Sequence, residues 1–270
     1  MKVVLKKILL VLFLGLFFGT TACKKSDSAS PDATIDETTA IQSGEADQIV
    51  NDAIATADDA MDGNFDGIGN GRVESCGNIN LNIQQKSVNI DFGTGCAGVW
   101  GKNRSGKITV SFSDNQRNIT FQNYVAEGYT ISGTITQSNI TKSGNVLSYN
   151  TSASNLAIVN ASRKITITSL QRKTEINLGS NPRQIADNEI RITGTCTGIN
   201  NNNESFTTEI TTPLLIKLSC AKNGIFYPVG GTSLIKIVGK PNMTIDYGSG
   251  TCDKQITVTV GSIVRTITLP

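Results

Sequence analysis

The sequence predicts an all-β protein, in which a long antiparallel meander forms an elongated sandwich or an incomplete barrel after one short N-terminal amphipathic helix. Apolar and polar residues alternate with period two from Arg72 to the end of the chain, and Gly/Asn turns separate the alternating runs. No helical pattern follows Met61. Short connections between strands force antiparallel neighbours, because parallel strands need long crossovers.

The N-terminus has the pattern of an export signal. Met1–Lys7 contains three lysines and no acid, and Ile8–Phe18 is an unbroken apolar run. That run is too short to span a bilayer as a helix. Small residues then lead to Ala22 and directly to Cys23. We expect residues 1–22 to be a lipoprotein signal peptide and Cys23 to be lipidated, although Cys23 beside an ordinary cleavage site is the alternative.

The residues around Cys23 resemble the bacterial lipobox, although Thr20 stands where that motif usually has Leu. An abrupt change to the polar stretch Lys24–Ser28 favours lipidation. Residues 23–35 are rich in Ser, Asp, Ala and Pro and predict a flexible tether with a reach of roughly 20 Å. Several acyl chains on one Cys bind a membrane stably. We therefore expect a protein anchored to the outer membrane through Cys23 and facing the periplasm or the cell surface.

The segment 36–71 is predicted to be a helix followed by a Gly/Asp-rich loop. The helical pattern runs from Asp36 to Met61, and Gly63 can end it. Its apolar face comprises Ile49, Val50, Ala53, Ile54, Ala57 and Met61, and its polar face comprises Asp47, Asn51, Asp52, Asp58 and Asp59. We expect the apolar face to pack on the sheet, over an open edge or end.

The loop after this helix is a weak calcium candidate. Asp62, Asn64 and Asp66 have the alternate spacing of the first ligands of a calcium loop. The twelfth position, where a bidentate Glu is needed, is Val73. A solvated loop without a metal is therefore the preferred interpretation.

The residues 72–270 are predicted to form the antiparallel β domain. In one strand Ile108 and Val110 alternate with Thr109 and Ser111, and the other runs repeat this pattern. Such a sheet has one dry face and one wet face rich in Thr and Ser. Two similar segments, Ile90–Cys96 and Ile245–Cys252, lie near the two ends of this domain.

Each of the two similar segments has an Asp before a Gly-x-Gly turn. Asp91 and Asp246 are therefore predicted to accept hydrogen bonds from backbone N–H groups of the turn. A catalytic role for the two residues is the alternative.

The chain resembles a family of β-rich lipoproteins of Bacteroidota with paired ID(F/Y)G-x-G-(x)-C segments. The resemblance covers most of residues 76–270. Besides the signal and Cys23, it rests on Ile90–Cys96, Lys107–Val110, Ile192–Thr195, Ile210–Leu214 and Ile245–Cys252. It implies an outer-membrane or surface lipoprotein and implies no chemistry.

The remaining five cysteines predict two disulfides and one free thiol, because disulfides persist in exported proteins. Cys76 and Cys96 bracket a predicted hairpin, so pairing around its turn brings them together. Cys220 and Cys252 bracket the last third of the chain and are expected to form a second disulfide. Cys196 has the parity of the apolar residues in its strand and is predicted to be a buried free thiol.

Composition excludes several classes of function. The chain has no histidine, so Ser-His-Asp triads, Cys-His pairs and His metal sites are absent. Lys and Arg number 24 against 22 Asp and Glu, and no basic stripe indicates nucleic acid as a partner. No cofactor is expected.

The predicted function is that of a non-catalytic envelope lipoprotein with a binding or structural role, whose partner is a protein, glycan or lipid. One alternative is a carrier of an apolar ligand, such as a lipid or a lipoprotein, which needs an open apolar cavity. The other is a glycan-acting enzyme that uses two carboxylates. No spacing selects a pair among its candidates, Glu127, Glu175, Glu189, Asp91 and Asp246.

Overall fold

A computed structural model describes residues 35–65, 76–98, 102–179, 187–221, 225 and 227–269. Helix α1 comprises Glu37–Phe65, and a one-turn helix, α2, comprises Leu218–Ala221. The strands are β1 (Asn78–Asn82), β2 (Ser87–Asp91), β3 (Cys96–Ala97), β4 (Asn103–Phe112), β5 (Gln116–Ala126), β6 (Tyr129–Ser143), β7 (Val146–Val159), β8 (Lys164–Asn177), β9 (Glu189–Ile199), β10 (Ser205–Lys217), β11 (Gly230–Ile237), β12 (Met243–Ser249), β13 (Gln255–Val260) and β14 (Ile263–Thr268).

The strands form one open antiparallel sheet of 14 strands in the order β1-β2-β4-β5-β6-β7-β8-β9-β10-β11-β12-β13-β14, with the two-residue strand β3 paired to β4. Neighbours in the sheet are therefore neighbours in sequence, except that the short β3 comes between β2 and β4 in the chain. The predicted all-β antiparallel meander is confirmed. The described strands belong to a single open sheet, which corresponds to the incomplete-barrel form of the prediction.

The two faces of the sheet differ as the alternation predicts. On the inner face, Ile108, Val110 and Ile119 are completely buried. On the outer face, polar side chains bond across strands, as in the 2.9 Å contact between the hydroxyls of Thr168 and Thr197. The outer face therefore stays solvated while the inner face forms the core.

The sheet curls around α1, which lies in its interior. Glu37 pairs with Arg265 of β14 at 2.8 Å, whereas Asp52 pairs with Arg104 of β4 at 2.8 Å. One helix thus contacts strands near both ends of the sheet order, which a flat sheet could not allow. Between residues 37 and 61 only Thr38 and Ala55 of the helix are exposed.

The helix differs from the prediction in length and in environment. It has 29 residues rather than being short, and it continues through Gly63 to Phe65. Its polar face is not solvated, since Asp47 is only 6% exposed and Asp58 only 8%. Because the curled sheet surrounds the helix and supplies inward-facing cations, both faces of the helix are enclosed. A second difference is α2, one helical turn where only strands were expected.

The start of α1 agrees with the prediction. The backbone N–H of Thr39 donates to Asp36 Oδ1 at 3.0 Å, so Asp36 is the N-cap of the helix.

The predicted signal peptide, Cys23 and nearly all of the tether lie outside the described residues, as does Asp66 of the calcium candidate. The side chains of Asp62 and Asn64 are likewise outside the description. Of the helices that the structure describes, none combines the length and the apolar character needed to span a membrane.

Candidate ligand pocket

Buried ion pairs hold α1 inside the sheet. Four acids of the helix pair with cations of the sheet or its loops, and the pairs are Glu45–Arg163, Asp47–Arg172, Asp52 with both Lys102 and Arg104, and Asp58–Arg117. Breaking such a buried pair is costly, because it leaves an uncompensated charge. The pairs therefore set the position of the helix along the sheet.

Asp58 accepts hydrogen bonds from three different side chains of the sheet. Arg117 Nη1 donates at 2.8 Å, Gln137 Nε2 at 3.0 Å and the Tyr149 hydroxyl at 2.9 Å. Burial raises the pKa of Asp58, although the Arg117 charge and these hydrogen bonds act in the opposite direction. Burial and the nearby Asp58 also raise the pKa of Tyr149 well above its ordinary value, so Tyr149 stays a protonated donor.

The inward cations were missed at the sequence level, although a signal for them exists. Arg117 has the parity of the buried Ile119, and Arg172 has the parity of the buried Leu170. A charge on the inward parity of a strand indicates a buried partner. The parity does not reveal which acid is that partner.

An apolar pocket of about 130 Å³ lies between α1 and strands β7–β10. Its wall is a row of aliphatic residues that are register partners across the four strands. The row, which we call the aliphatic row, consists of Leu147, Ile176, Ile190 and Ile216. Ile192 and Tyr149 line the pocket from the next inward positions on β9 and β7.

The helix side of the pocket is less enclosed than the rest of α1. Asn51, Ala55 and Asp59 line the pocket at a spacing of four residues, so they form one stripe along the helix. We call these three residues the open stripe. Ala55 is exposed, and Leu178 and Leu218 opposite it are half-buried. The pocket therefore reaches the surface between the open stripe and these two leucines.

Asn188, a lining residue of the pocket, has an enclosed side-chain oxygen without a hydrogen bond among the described residues. Asn188, just before β9, lines the pocket and is 6% exposed. Its backbone oxygen accepts from Leu218 N at 3.1 Å, but its side-chain Oδ1 has no hydrogen-bond partner among the described residues. Buried polar atoms are normally bonded, so this oxygen is an exception. It is also fully enclosed, so the space in the pocket does not touch it.

The paired Asp residues are turn acceptors, as predicted. Asp91 accepts from Gly93 N at 2.9 Å, and Asp246 accepts from Gly248 N at 2.8 Å. Asp91 also pairs with Lys107 at 2.8 Å, and the Lys107 hydrogen bond together with the Gly93 N–H lowers the pKa of Asp91. Neither Asp lines the apolar pocket.

The remaining carboxylate candidates each bond to a nearby group. Glu127 accepts from Asn103 N at 2.5 Å, Glu175 accepts from Lys173 at 2.7 Å, and Glu189 lies 3.8 Å from Arg191. The apolar pocket has none of these three residues in its lining.

The cysteines pair as predicted. Disulfides join Cys76 to Cys96 and Cys220 to Cys252, with Cα–Cα distances of 5.7 and 5.2 Å. Cys196 is a buried free thiol. Burial raises its pKa to about 12, so it stays protonated at neutral pH.

The described ranges contain no group of three or more Asp, Glu or Cys side chains that could hold a metal ion. The fold and the pocket together define the class of protein. It is a single β-meander that wraps around a helix, with an apolar pocket beside that helix. Comparisons with protein-family models, curated proteins and solved structures find no match to this chain.

Proposed function

We propose that the chain is a non-catalytic lipoprotein of the outer membrane that binds an apolar ligand in the pocket between α1 and β7–β10. The single observation that carries the proposal is the aliphatic row facing an unfilled space of about 130 Å³. Ligand pockets are mostly apolar and contain a few polar groups that orient the ligand, which is the composition found here.

The aliphatic row lies at an opening instead of being covered by other side chains. Protein interiors are packed with few voids larger than a water molecule. Apolar surface left in contact with water forgoes roughly 25 cal/mol for each Å² that could be buried. A ligand that covers the aliphatic row would recover this free energy, so the pocket favours apolar binding.

A non-catalytic role is supported by the state of the ionisable groups. Catalysis needs an acid, base or nucleophile with a suitable pKa close to the reacting atom. Burial raises the pKa values of Cys196 and Tyr149, which keeps both groups protonated at neutral pH. Asp52 and Asp58, two acids of α1 in the pocket lining, are paired with Arg104 and Arg117, and the chain has no histidine.

The membrane part of the proposal rests on the sequence up to Cys23. Changing Cys23 to Ser is expected to move the protein from the detergent phase to the aqueous phase in a phase-separation assay. A Cys23→Ser protein that still partitions with detergent would contradict the anchor.

The binding part is tested with the soluble chain from residue 24 onward. The environment-sensitive dye N-phenyl-1-naphthylamine is expected to bind saturably with increased fluorescence. Ile192→Trp places a large side chain in the pocket and should abolish this signal. Val146→Trp is the matched control, because Val146 is 42% exposed at the end of β7 beside Leu147. Dye binding that survives Ile192→Trp in a folded protein would contradict the pocket as the binding site.

A further inference from the structure

Exposed apolar side chains are concentrated at one end of the sheet. Among the described residues, six large apolar side chains are exposed, and four of them lie at the end where α1 begins. These four, which we call the apolar tips, are Ile199, Val238, Ile263 and Val264. We propose that this end of the sheet contacts the surface of the bilayer that carries the anchor. The inference rests on the proposed lipidation of Cys23 and specifies how the protein faces its membrane.

Contacts with the start of α1 fix the position of the apolar tips. Three residues next to the tips bond to the beginning of the helix. The bonds are Asn200 to Thr39 at 3.3 Å, Lys240 to Asp36 at 2.9 Å and Arg265 to Glu37 at 2.8 Å. Ile199 and Val264 directly precede the first and the last of these three residues, and Val238 lies two positions before Lys240. The tips therefore surround the end of the sheet at which the helix begins.

The proposed anchor joins the folded chain at this same end. Asp36 caps α1, and the predicted tether, residues 23–35, stops directly before it. A flexible segment of this length has an r.m.s. reach of roughly 20 Å. A lipidated Cys23 would therefore keep the apolar tips close to the bilayer. Such a tether makes even a weak contact effective, because it raises the local concentration of the two surfaces.

The exposure of Val238 is not a requirement of its turn. Lys240 N donates to Ile237 O at 3.1 Å, which closes a four-residue turn with Val238 as its second residue. The conformational demand falls on Gly239, whose φ is 79°. Val238 is 85% exposed, in a position that accepts most residue types. Its side chain would gain free energy by leaving water at a lipid surface.

The apolar tips are grouped rather than scattered. Val238 N donates to Ser205 O at 3.4 Å, and Ser205 is the register partner of Ile199. Ile199 and Val238 are thus separated by a single strand. Ile263 and Val264 are consecutive residues on β14, the last strand of the sheet. Exposed apolar residues that occur singly are ordinary, whereas grouped ones indicate a contact surface.

The charges at this end favour an apolar contact over an electrostatic one. Lys240 lies 2.9 Å from Asp36 and 2.7 Å from Glu204, and Arg265 pairs with Glu37. Strong binding to anionic lipid needs clusters of cations that are available to the headgroups. We therefore expect the contact to form on zwitterionic phosphatidylcholine.

The proposed orientation turns the apolar pocket away from the bilayer. Ser205, the partner of Ile199, begins β10, whereas Leu218 of the pocket lining follows the end of that strand. The opening of the pocket therefore lies at the end of the sheet opposite to the apolar tips. A ligand would enter the pocket from the aqueous side.

The test attaches the protein to vesicles without using its acyl chains. The soluble chain from residue 24 onward carries an N-terminal hexahistidine tag and is bound to phosphatidylcholine vesicles that contain a nickel-chelating lipid. The chain itself has no histidine, so attachment occurs through the tag. Val238→Cys is labelled with the fluorophore NBD, and Val146→Cys at the opposite end is the matched control. Cys196 is buried and four other cysteines form disulfides, so the label reacts with the introduced thiol.

NBD at position 238 is expected to emit at shorter wavelength on the vesicles and to be quenched by phosphatidylcholine that carries a nitroxide. NBD at position 146 should show neither effect. The double variant Ile199→Asp/Val264→Asp should abolish both effects at position 238, because carboxylates oppose transfer out of water. Both substituted residues are exposed, so the fold should tolerate the change.

Two results would overturn the inference. One is quenching at position 238 that does not exceed the quenching at position 146. The other is quenching at position 238 that persists in the folded double variant. After either result, the apolar tips would be assigned to contact with a protein partner instead.

The outcomes also separate this inference from the proposed function. The tag replaces the acyl chains, so the phase-separation result for Cys23→Ser does not affect the NBD measurement. A protein that is anchored through Cys23 but keeps position 238 in water would reject only the orientation. Quenching at position 238 in a protein that is not anchored through Cys23 would reject only the lipidation.

Discussion

The second half of α1 presents two different sides to the sheet. On one side, Asp52 and Asp58 pair with Arg104 and Arg117, and their carboxyl groups are bonded to the sheet. The open stripe borders the pocket next to these pairs, and the aliphatic row makes up most of the sheet wall that faces it. The same helix is thus fixed by polar contacts along one line and leaves a gap along another.

The difference indicates how the pocket stays open. Buried ion pairs add little net stability compared with apolar packing, but they specify geometry strongly, because a displaced charge would remain unpaired. We infer that the ion pairs keep α1 from sliding towards β7–β10 and filling the gap. Apolar packing alone would favour closing it.

The largest expected effect is on the ion-paired side. Asp58→Ala removes the acceptor of three donors and leaves Arg117 without its counter-ion, so we expect a loss of about 3–5 kcal/mol in the free energy of unfolding. Asn51→Ala on the open stripe should change the free energy of unfolding by at most about 0.5 kcal/mol, because the higher helix propensity of Ala offsets the loss of the Asn side chain. Urea unfolding followed by circular dichroism measures both. Similar losses in the two variants would remove the distinction between the sides.

The pair Asp47–Arg172 tests whether ion pairing specifies position more than stability. Arg172→Met alone should cost about 3–4 kcal/mol, since it leaves Asp47 buried without its cation. The double variant Asp47→Leu/Arg172→Met should unfold within about 1 kcal/mol of the unmodified protein, because apolar residues of similar volume replace the whole pair. If the double variant is no more stable than the single one, the pair contributes net stability. Urea unfolding of the unmodified protein, the two single variants and the double variant gives the interaction energy between Asp47 and Arg172.

Packing density gives the third comparison. Ile108 on β4 is completely buried in packed core, and Ile108→Ala is expected to cost about 2–3 kcal/mol through lost burial and a new cavity. Ile190 on β9 already borders the pocket and is half-buried, so Ile190→Ala should cost about 1 kcal/mol. Urea unfolding measures this contrast as the difference between the midpoints of the two variants, provided that the slope of unfolding free energy against urea is unchanged. Equal losses would mean that the pocket is closed in solution.

The smallest expected effect concerns the start of α1, far from the pocket. Burial by itself would raise the pKa of Asp36, but hydrogen bonds from Lys240 and Thr39 outweigh it and hold that pKa below its ordinary value of 3.8. The folded state therefore gains stability from ionised Asp36 above pH 3.8 and loses it as the pH falls through the lowered pKa.

Asp36→Asn keeps an N-cap residue and removes only the charge. The unmodified protein should be more stable than this variant at pH 6 by at most about 0.5 kcal/mol, because Asp36 is partly screened by solvent. The difference should shrink at pH 3. If the difference in stability grew on acidification, the ionised form of Asp36 would not be the stabilising one.

The sequence predicted the features that depend on a local pattern of residues. Period-two alternation identifies the strands and the inward position of Cys196, because the side-chain period of a strand does not depend on its neighbours. The Gly-x-Gly turns identify Asp91 and Asp246 as backbone acceptors, since a bond two residues away is a local matter. The Cys76–Cys96 disulfide follows from one hairpin for the same reason.

The tertiary structure alone decided the enclosure of α1 and the pocket beside it. The helical pattern predicted one buried face, and its acids were expected on the other. Asp47 and Arg172 are separated by 125 positions in the chain, and their meeting depends on how far the sheet curls. That curvature is the sum of small twists over many strands, which no single strand sequence specifies. The gap at the aliphatic row has the same origin, because it depends on where the ion pairs hold the helix.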